Sequence, residues 1–248
     1  MAKIEAVDFN AHKGLLIDPS KAELHGSEQH LIPTVLAEFT NIAVQNPIVL
    51  TKNGDTGEFI FAGMYGFEAY ENLFWQQGQW QGLYLPLQIQ RQPFFVGGAS
   101  DSTSKEDGEH IVCIDVESPT IDKASQGSGI EDNSAAAETN DRHSLFSETG
   151  GDSEYFTHAK QCLAQILQGE QDNKNLINAL LKFELIQPLS LEVTFANEAS
   201  TRLNGLYTID QEKLANLPSE SVTALHSQGL LQPIYTMISS LGQIYALI

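Results

Sequence analysis

The five residues Asn53-Gly54-Asp55-Thr56-Gly57 constrain this chain more than any other feature. They separate two apolar runs, Ile48-Val49-Leu50 and Glu58-Phe59-Ile60-Phe61-Ala62. Gly accepts positive φ, Asn and Asp bond to their own backbone, and the β-branched and aromatic residues on either side suit strands. An antiparallel hairpin is predicted, and a lone hairpin needs further strands to be stable. Leu189-Ser190-Leu191-Glu192-Val193-Thr194-Phe195 alternates at period two and predicts a half-buried strand. Leu203 to Ile209 supplies its partner, with 197–202 as the connection. Shorter strands are predicted at Leu15-Leu16-Ile17, at 81–85, at 94–96 and from His110 to Val116.

Helical spacing is found elsewhere. Pro33 suits a first helical turn, and Val35, Leu36, Phe39, Ile42 and Ala43 follow at a 3.6-residue period, predicting one helix that ends near Asn46-Pro47. Asp152-Ser153 can cap a helix striped by Tyr155, Phe156, Ala159, Cys162, Leu163, Ile166 and Leu167. A second helix carries Leu176, Ile177, Leu180, Leu181 and Leu185 and stops at Pro188. Asp210 caps a short helix through Leu217, Ser219 another through Gln228 ended by Gly229, and Leu230 to Ile248 reads as a packed terminal helix. Strands and helices come in blocks, not in strict alternation. The predicted class is α+β: antiparallel sheets with helices packed on one side and a C-terminal helical region.

Charge excludes whole classes of partner. The 13 Lys and Arg against 32 Asp and Glu leave a net −19, which argues against nucleic acid and against anionic membrane surfaces. No apolar stretch is long enough for a membrane span and the first residues carry no leader, so no membrane insertion and a cytoplasmic location are expected. Cys113 and Cys162 sit in apolar surroundings and read as free thiols. Residues 101–154 hold 14 acidic side chains against three basic ones. Within them, about 118–144 is rich in Ser, Gly, Asp and Ala without periodicity, and a mobile acidic insertion is expected there.

No nucleophile elbow, phosphate loop, dinucleotide fingerprint or Cys-x-x-Cys is present, and no two of the seven histidines have metal-ligand spacing. Neither a metal nor a cofactor is expected. The densest feature is aromatic: nine of the 21 aromatic residues lie between 65 and 95, a region where Lys and Arg are absent from Asn53 through Gln90. Tyr70, Asn72, Trp75, Trp80 and Tyr84, beside several glutamines, are the candidate surface for a glycan or peptide. The competing reading is that these rings pack a core. Glu38 lies on an apolar helical pattern, and Arg91 is the first cation after the bare stretch, so the two are a candidate buried ion pair.

The runs Ile32 to Phe39, Asn46 to Leu50, Gly66-Phe67, Glu71 to Phe74, Gly78-Gln79-Trp80, Tyr84-Leu85-Pro86 and Arg91 to Phe94 resemble the SapC family of bacterial proteins. The resemblance continues through Cys113-Ile114-Asp115, Leu145-Phe146, Leu203 to Tyr207, Ile209 to Leu214, Leu225 to Leu230 and Ile234 to Leu241. It implies one SapC-like domain over 1–248. Two departures are the acidic insertion and Gln92, where family members commonly carry a second Arg. The family's name derives from a surface-layer locus, and related genes often neighbour those of halogenase-like flavoproteins, cupin-like proteins and TonB-dependent receptors. The resemblance therefore implies a non-enzymatic accessory or binding protein, with protein partners, for an envelope, surface-layer or uptake system. The alternative is an enzyme or enzyme subunit acting on peptides or sugars beside a flavin- or iron-dependent partner. A peptide-permease label attached to a similar name conflicts with the absent spans.

Overall fold

The computed structural model describes residues 2–97, 111–122, 142–194 and 200–248. The chain divides into two compact units, Met1–His25 with Ile89–Gln165 and Gly26–Gln88 with Ile166–Ile248. Each unit is built from two separated stretches of sequence and has its own apolar core.

The predicted hairpin lies inside the five-stranded antiparallel sheet of the second unit. Its strand order is Ile186–Thr194, Ser200–Ile209, Ile48–Lys52, Phe59–Met64, Leu31–Pro33. Asn53 Oδ1 accepts from the amides of Asp55 at 2.9 Å and Thr56 at 3.2 Å, and Gly57 takes a φ of +71°, so the turn uses the chemistry its sequence offers. Alternation then sorts the side chains. Ile48, Leu50 and Phe61 enter one core; Val49 and Met64 enter another on the opposite face. The first face is covered by helices. Leu176 and Leu180 come from Glu154–Lys182, Leu214 from Gln211–Ala215, Leu225 from Ser219–Ser227, and Ile234 and Met237 from Leu231–Ser240. Phe67, Leu73, Leu241 and Leu247 close the other face. The fold is α+β, with antiparallel sheets and C-terminal helices.

In the first unit, Ile111–Asp115 is the centre of a three-stranded antiparallel sheet between Ile4–Ala6 and Phe94–Gly97. Leu16–Ile17 pairs with His143–Ser144. Ile17, Phe94, Ile114, Leu145 and Phe156 fill the core. Cys113 and Cys162 are free thiols, the first half-buried and the second buried. No helix among the described residues is long and apolar enough to cross a membrane.

Several local expectations differ from the structure, and the expected acidic insertion falls largely outside the described residues. The helix expected from Pro33 is a strand, Leu31–Pro33, followed by a 3-10 turn at Leu36–Glu38 and a single α-turn at Phe39–Ile42. Pairing with Met64–Ala62 holds the first part extended. The two helices expected after Ser153 are one, Glu154–Lys182, capped by the Ser153 hydroxyl accepting from Phe156 N at 3.1 Å. Gly169 sits mid-helix because a Cβ there would collide with Val35. Residues 81–85 form no strand; the extended pair lies earlier, at Trp75–Gln76 and Gln79–Trp80. Of the insertion expected at 118–144, residues 123–141 lie outside the described residues, and its flanks belong to the first unit. Ile121 is buried and bridges to Ile17, and His143 stacks on Tyr155 at 5.1 Å. The buried Ser118 and Thr120 hydroxyls bond each other at 2.9 Å, so a composition typical of loops here satisfies itself inside the fold.

Candidate functional site

After the strand Phe59–Met64 the chain enters the aromatic stretch through a tight loop. Gly66 is required there, since a Cβ would meet the Glu71 carbonyl oxygen at 2.7 Å. Glu71 Oε2 accepts from Phe67 N at 2.7 Å and Glu68 N at 3.2 Å, closing the loop. Tyr70 projects from it, 81% exposed, with a left-handed φ of +68°. Such a backbone costs a non-glycine residue roughly 1–2 kcal/mol. Asn72, expected on the surface, is buried. Its Oδ1 accepts from Phe74 N at 2.9 Å and its Nδ2 donates to Gly26 O at 2.7 Å, so its amide is committed to holding the loop.

Trp75 and Trp80 then face each other across a two-stranded hairpin. Gln77 and Gly78 at its tip have φ of +53° and +79°, matching the mirror-image turn whose twist suits a two-residue hairpin. The indoles have different surroundings. Trp80 lies 5.3 Å from the Tyr65 ring and donates Nε1–H to Tyr84 O at 3.2 Å. The chain can pass this indole only at Gly82, where a Cβ would come 2.5 Å from Trp80 Nε1. Trp75 is half-buried, and its indole N–H makes no hydrogen bond among the described residues. Around it Gln76, Gln77, Gln79 and Gln81 are exposed, and Leu83 is 77% exposed.

Beneath the hairpin is Glu38, 2% exposed. Its Oε1 accepts from Leu87 N at 2.7 Å and the Tyr84 hydroxyl at 3.1 Å. Its Oε2 accepts from Val35 N and the Thr34 hydroxyl, each at 3.2 Å. Burial pushes the Glu38 carboxyl above the usual carboxylate range, and these four bonds oppose it without prevailing. The Tyr65 hydroxyl is buried with no hydrogen-bond partner among the described residues; burial, with Glu38 nearby, drives its pKa upward. A carboxyl so enclosed joins segments of chain. Its hydrogen bonding is met by neutral donors. Arg91 belongs to the first unit, where Nη1 donates to Phe94 O at 2.6 Å and the guanidinium lies 4.4 Å from the Phe95 ring centre.

The structure thus brings Glu38, Trp80 and Tyr84 together, places Trp75 opposite Trp80, and leaves Tyr70 on the adjoining loop. Tyr65 and Thr34 were not singled out from sequence; no spacing marks them, because their partners come from other segments. A groove of about 630 Å³ lies in the same unit, between Asn175, Asn178 and Lys182 on one side and Gln228 to Leu230 on the other, and contains none of the predicted site residues. Among the described residues no group of three or more His, Cys, Asp or Glu side chains is placed to hold a metal.

Comparison with curated proteins and with solved structures returned no match. A family model described as SapC matches residues 7–247, essentially the whole chain, and the chain belongs to the SapC family.

Proposed function

We propose that this chain is a non-enzymatic accessory protein for a bacterial cell-envelope, surface-layer or nutrient-uptake system, and that it recognises an uncharged protein surface through the hairpin Trp75 to Trp80. The observation that carries this reading is the half-exposed Trp75 indole with its N–H unused, flanked by exposed amides. No charged side chain occurs from Asn72 through Gln90, in a chain of net −19. An indole with a free donor supplies a large contact area and one directional bond, the combination found at interface hot spots. The enclosed Glu38 supports a scaffold beneath this surface.

The test is capture from the native host with the wild-type chain and with Trp75→Ala in parallel. A partner held by the first and lost by the second, at equal melting temperature, is expected. Equal capture by both overturns the hairpin's role. A shift of Trp75 emission with glycans and not with the captured protein moves the reading to a sugar ligand.

A further inference from the structure

The edge of the five-stranded sheet is unevenly covered. Phe59–Met64 is paired along its inner side from Ile48↔Gly63 to Lys52↔Phe59. On its outer side Leu31–Pro33 covers only Met64, Gly63 and Ala62. Backbone groups of alternate residues face alternate neighbours. The bonds Asn53 N to Glu58 O and Met64 N to Pro47 O turn the even-numbered residues inward. The bonds Tyr65 N to His30 O and Thr34 N to Phe61 O turn the odd-numbered ones outward. Thr34 to Phe61, at 3.0 Å, is the last outer bond, and the N–H and C=O of Phe59 lie beyond it with no strand beside them among the described residues.

The chain that would have covered Phe59 is drawn away. Asn173 holds both sides of the departure, donating Nδ2 to Thr34 O at 2.8 Å and accepting from Leu36 N at 3.0 Å. A cavity of about 190 Å³ remains between Thr34, Phe59, Phe61 and the helix residues Asn173, Lys174 and Ile177. Pro33 has no N–H to offer on the far side of its short strand, which makes that side a poorer template than the stretch at Phe59. Glu58 and Glu170 border the cavity against Lys174, an acidic excess in an acidic chain.

We propose that this edge docks an extended segment of a partner polypeptide, with an apolar residue entering the cavity and basic residues beside it. The segment lies antiparallel beside Phe59, on the part of the strand that Leu31–Pro33 leaves uncovered. Its backbone exchanges hydrogen bonds with Phe59, while Glu58 and Glu170 meet its cations. This site is separate from the indole hairpin, and the inference stands whether or not the hairpin binds.

The probe is an acetylated, amidated hexapeptide of alternating lysine and leucine, titrated into the intact chain while backbone amide exchange is followed by NMR. Slowed exchange at Phe59 is expected. Glu170→Lys should weaken binding and Lys174→Glu should tighten it, each about threefold. N-methylation of the leucine amide that faces Phe59 should abolish the protection. A glutamate–leucine peptide should bind less well. Absence of binding, protection confined to other residues, or equal binding of the N-methylated peptide overturns the proposal. Protection at Phe59 does not depend on Trp75, so a Trp75→Ala protein must give the same result.

Discussion

The Tyr84 hydroxyl donates to Glu38 Oε1 at 3.1 Å, tying the segment that follows the indole hairpin to a carboxyl sealed in the core. Leu87 N and Val35 N share that carboxyl. Glu38→Gln places an N–H2 where two of its four donors point, and the unpaired groups should cost about 2 kcal/mol. Folding raises this pKa, so the native state holds the proton at pH values where the unfolded chain has released it. The group's contribution to stability is therefore full in acid and falls as pH climbs from the ordinary carboxylate value through the raised one. Denaturant melts across that range should show wild type losing stability relative to Glu38→Gln as pH rises. A constant difference would mean that Glu38 titrates normally.

Gly169→Ala should destabilise the chain, although alanine favours a helix by about 1 kcal/mol over glycine. Its Cβ would lie within 2.8 Å of both Val35 methyl carbons, so the segments must part. A net loss of about 2 kcal/mol is expected. Val35→Ala in the same chain should recover part of it, which a loss unrelated to this contact would not permit.

The two tryptophans should separate by spectroscopy. Trp80→Phe loses the bond to Tyr84 O and part of the packing on Tyr65, and should lower stability by roughly 1–2 kcal/mol. Trp75→Phe should change it by about 0.5 kcal/mol or less. Acrylamide should quench the protein retaining Trp75 more strongly than the one retaining Trp80. Equal quenching would contradict the difference in their surroundings.

Alkaline titration provides a separate check. Burial raises the pKa of both Tyr65 and Tyr155. Their phenols stay neutral in the folded chain where the unfolded chain ionises, so stability declines as pH rises above the ordinary tyrosine value. Tyr65 and Tyr155 should ionise only with unfolding, seen as a delayed step in phenolate absorbance. A single smooth titration of all seven tyrosines below the unfolding pH would contradict this.

What could be read in advance was local. The hairpin at Asn53 to Gly57 was legible because its turn bonds lie within five residues. A buried Glu38 followed from the apolar pattern around it. Contacts across the fold were not legible. Which tryptophan keeps a free N–H depends on Tyr84 O and on the space left by Gly82. No apolar stripe runs through the residues between Leu167 and Leu176, and only Val35, far away in sequence, explains the glycine inside a helix there. Asn72 looked like a surface amide because its acceptor, Gly26 O, lies 46 residues away.

The interleaving of the two units has a consequence during synthesis. The hairpin Ile48–Lys52 with Phe59–Met64 is made early, but the strand Ser200–Ile209 and the helices that cover its faces are made last. At ordinary translation speeds the apolar faces of that hairpin wait on the order of ten seconds or more for their cover. Nascent chains of this protein should therefore engage holdase chaperones throughout the middle of translation. Codon changes that slow the ribosome between Gln90 and Leu185 should lower the yield of folded product while leaving its final stability unchanged.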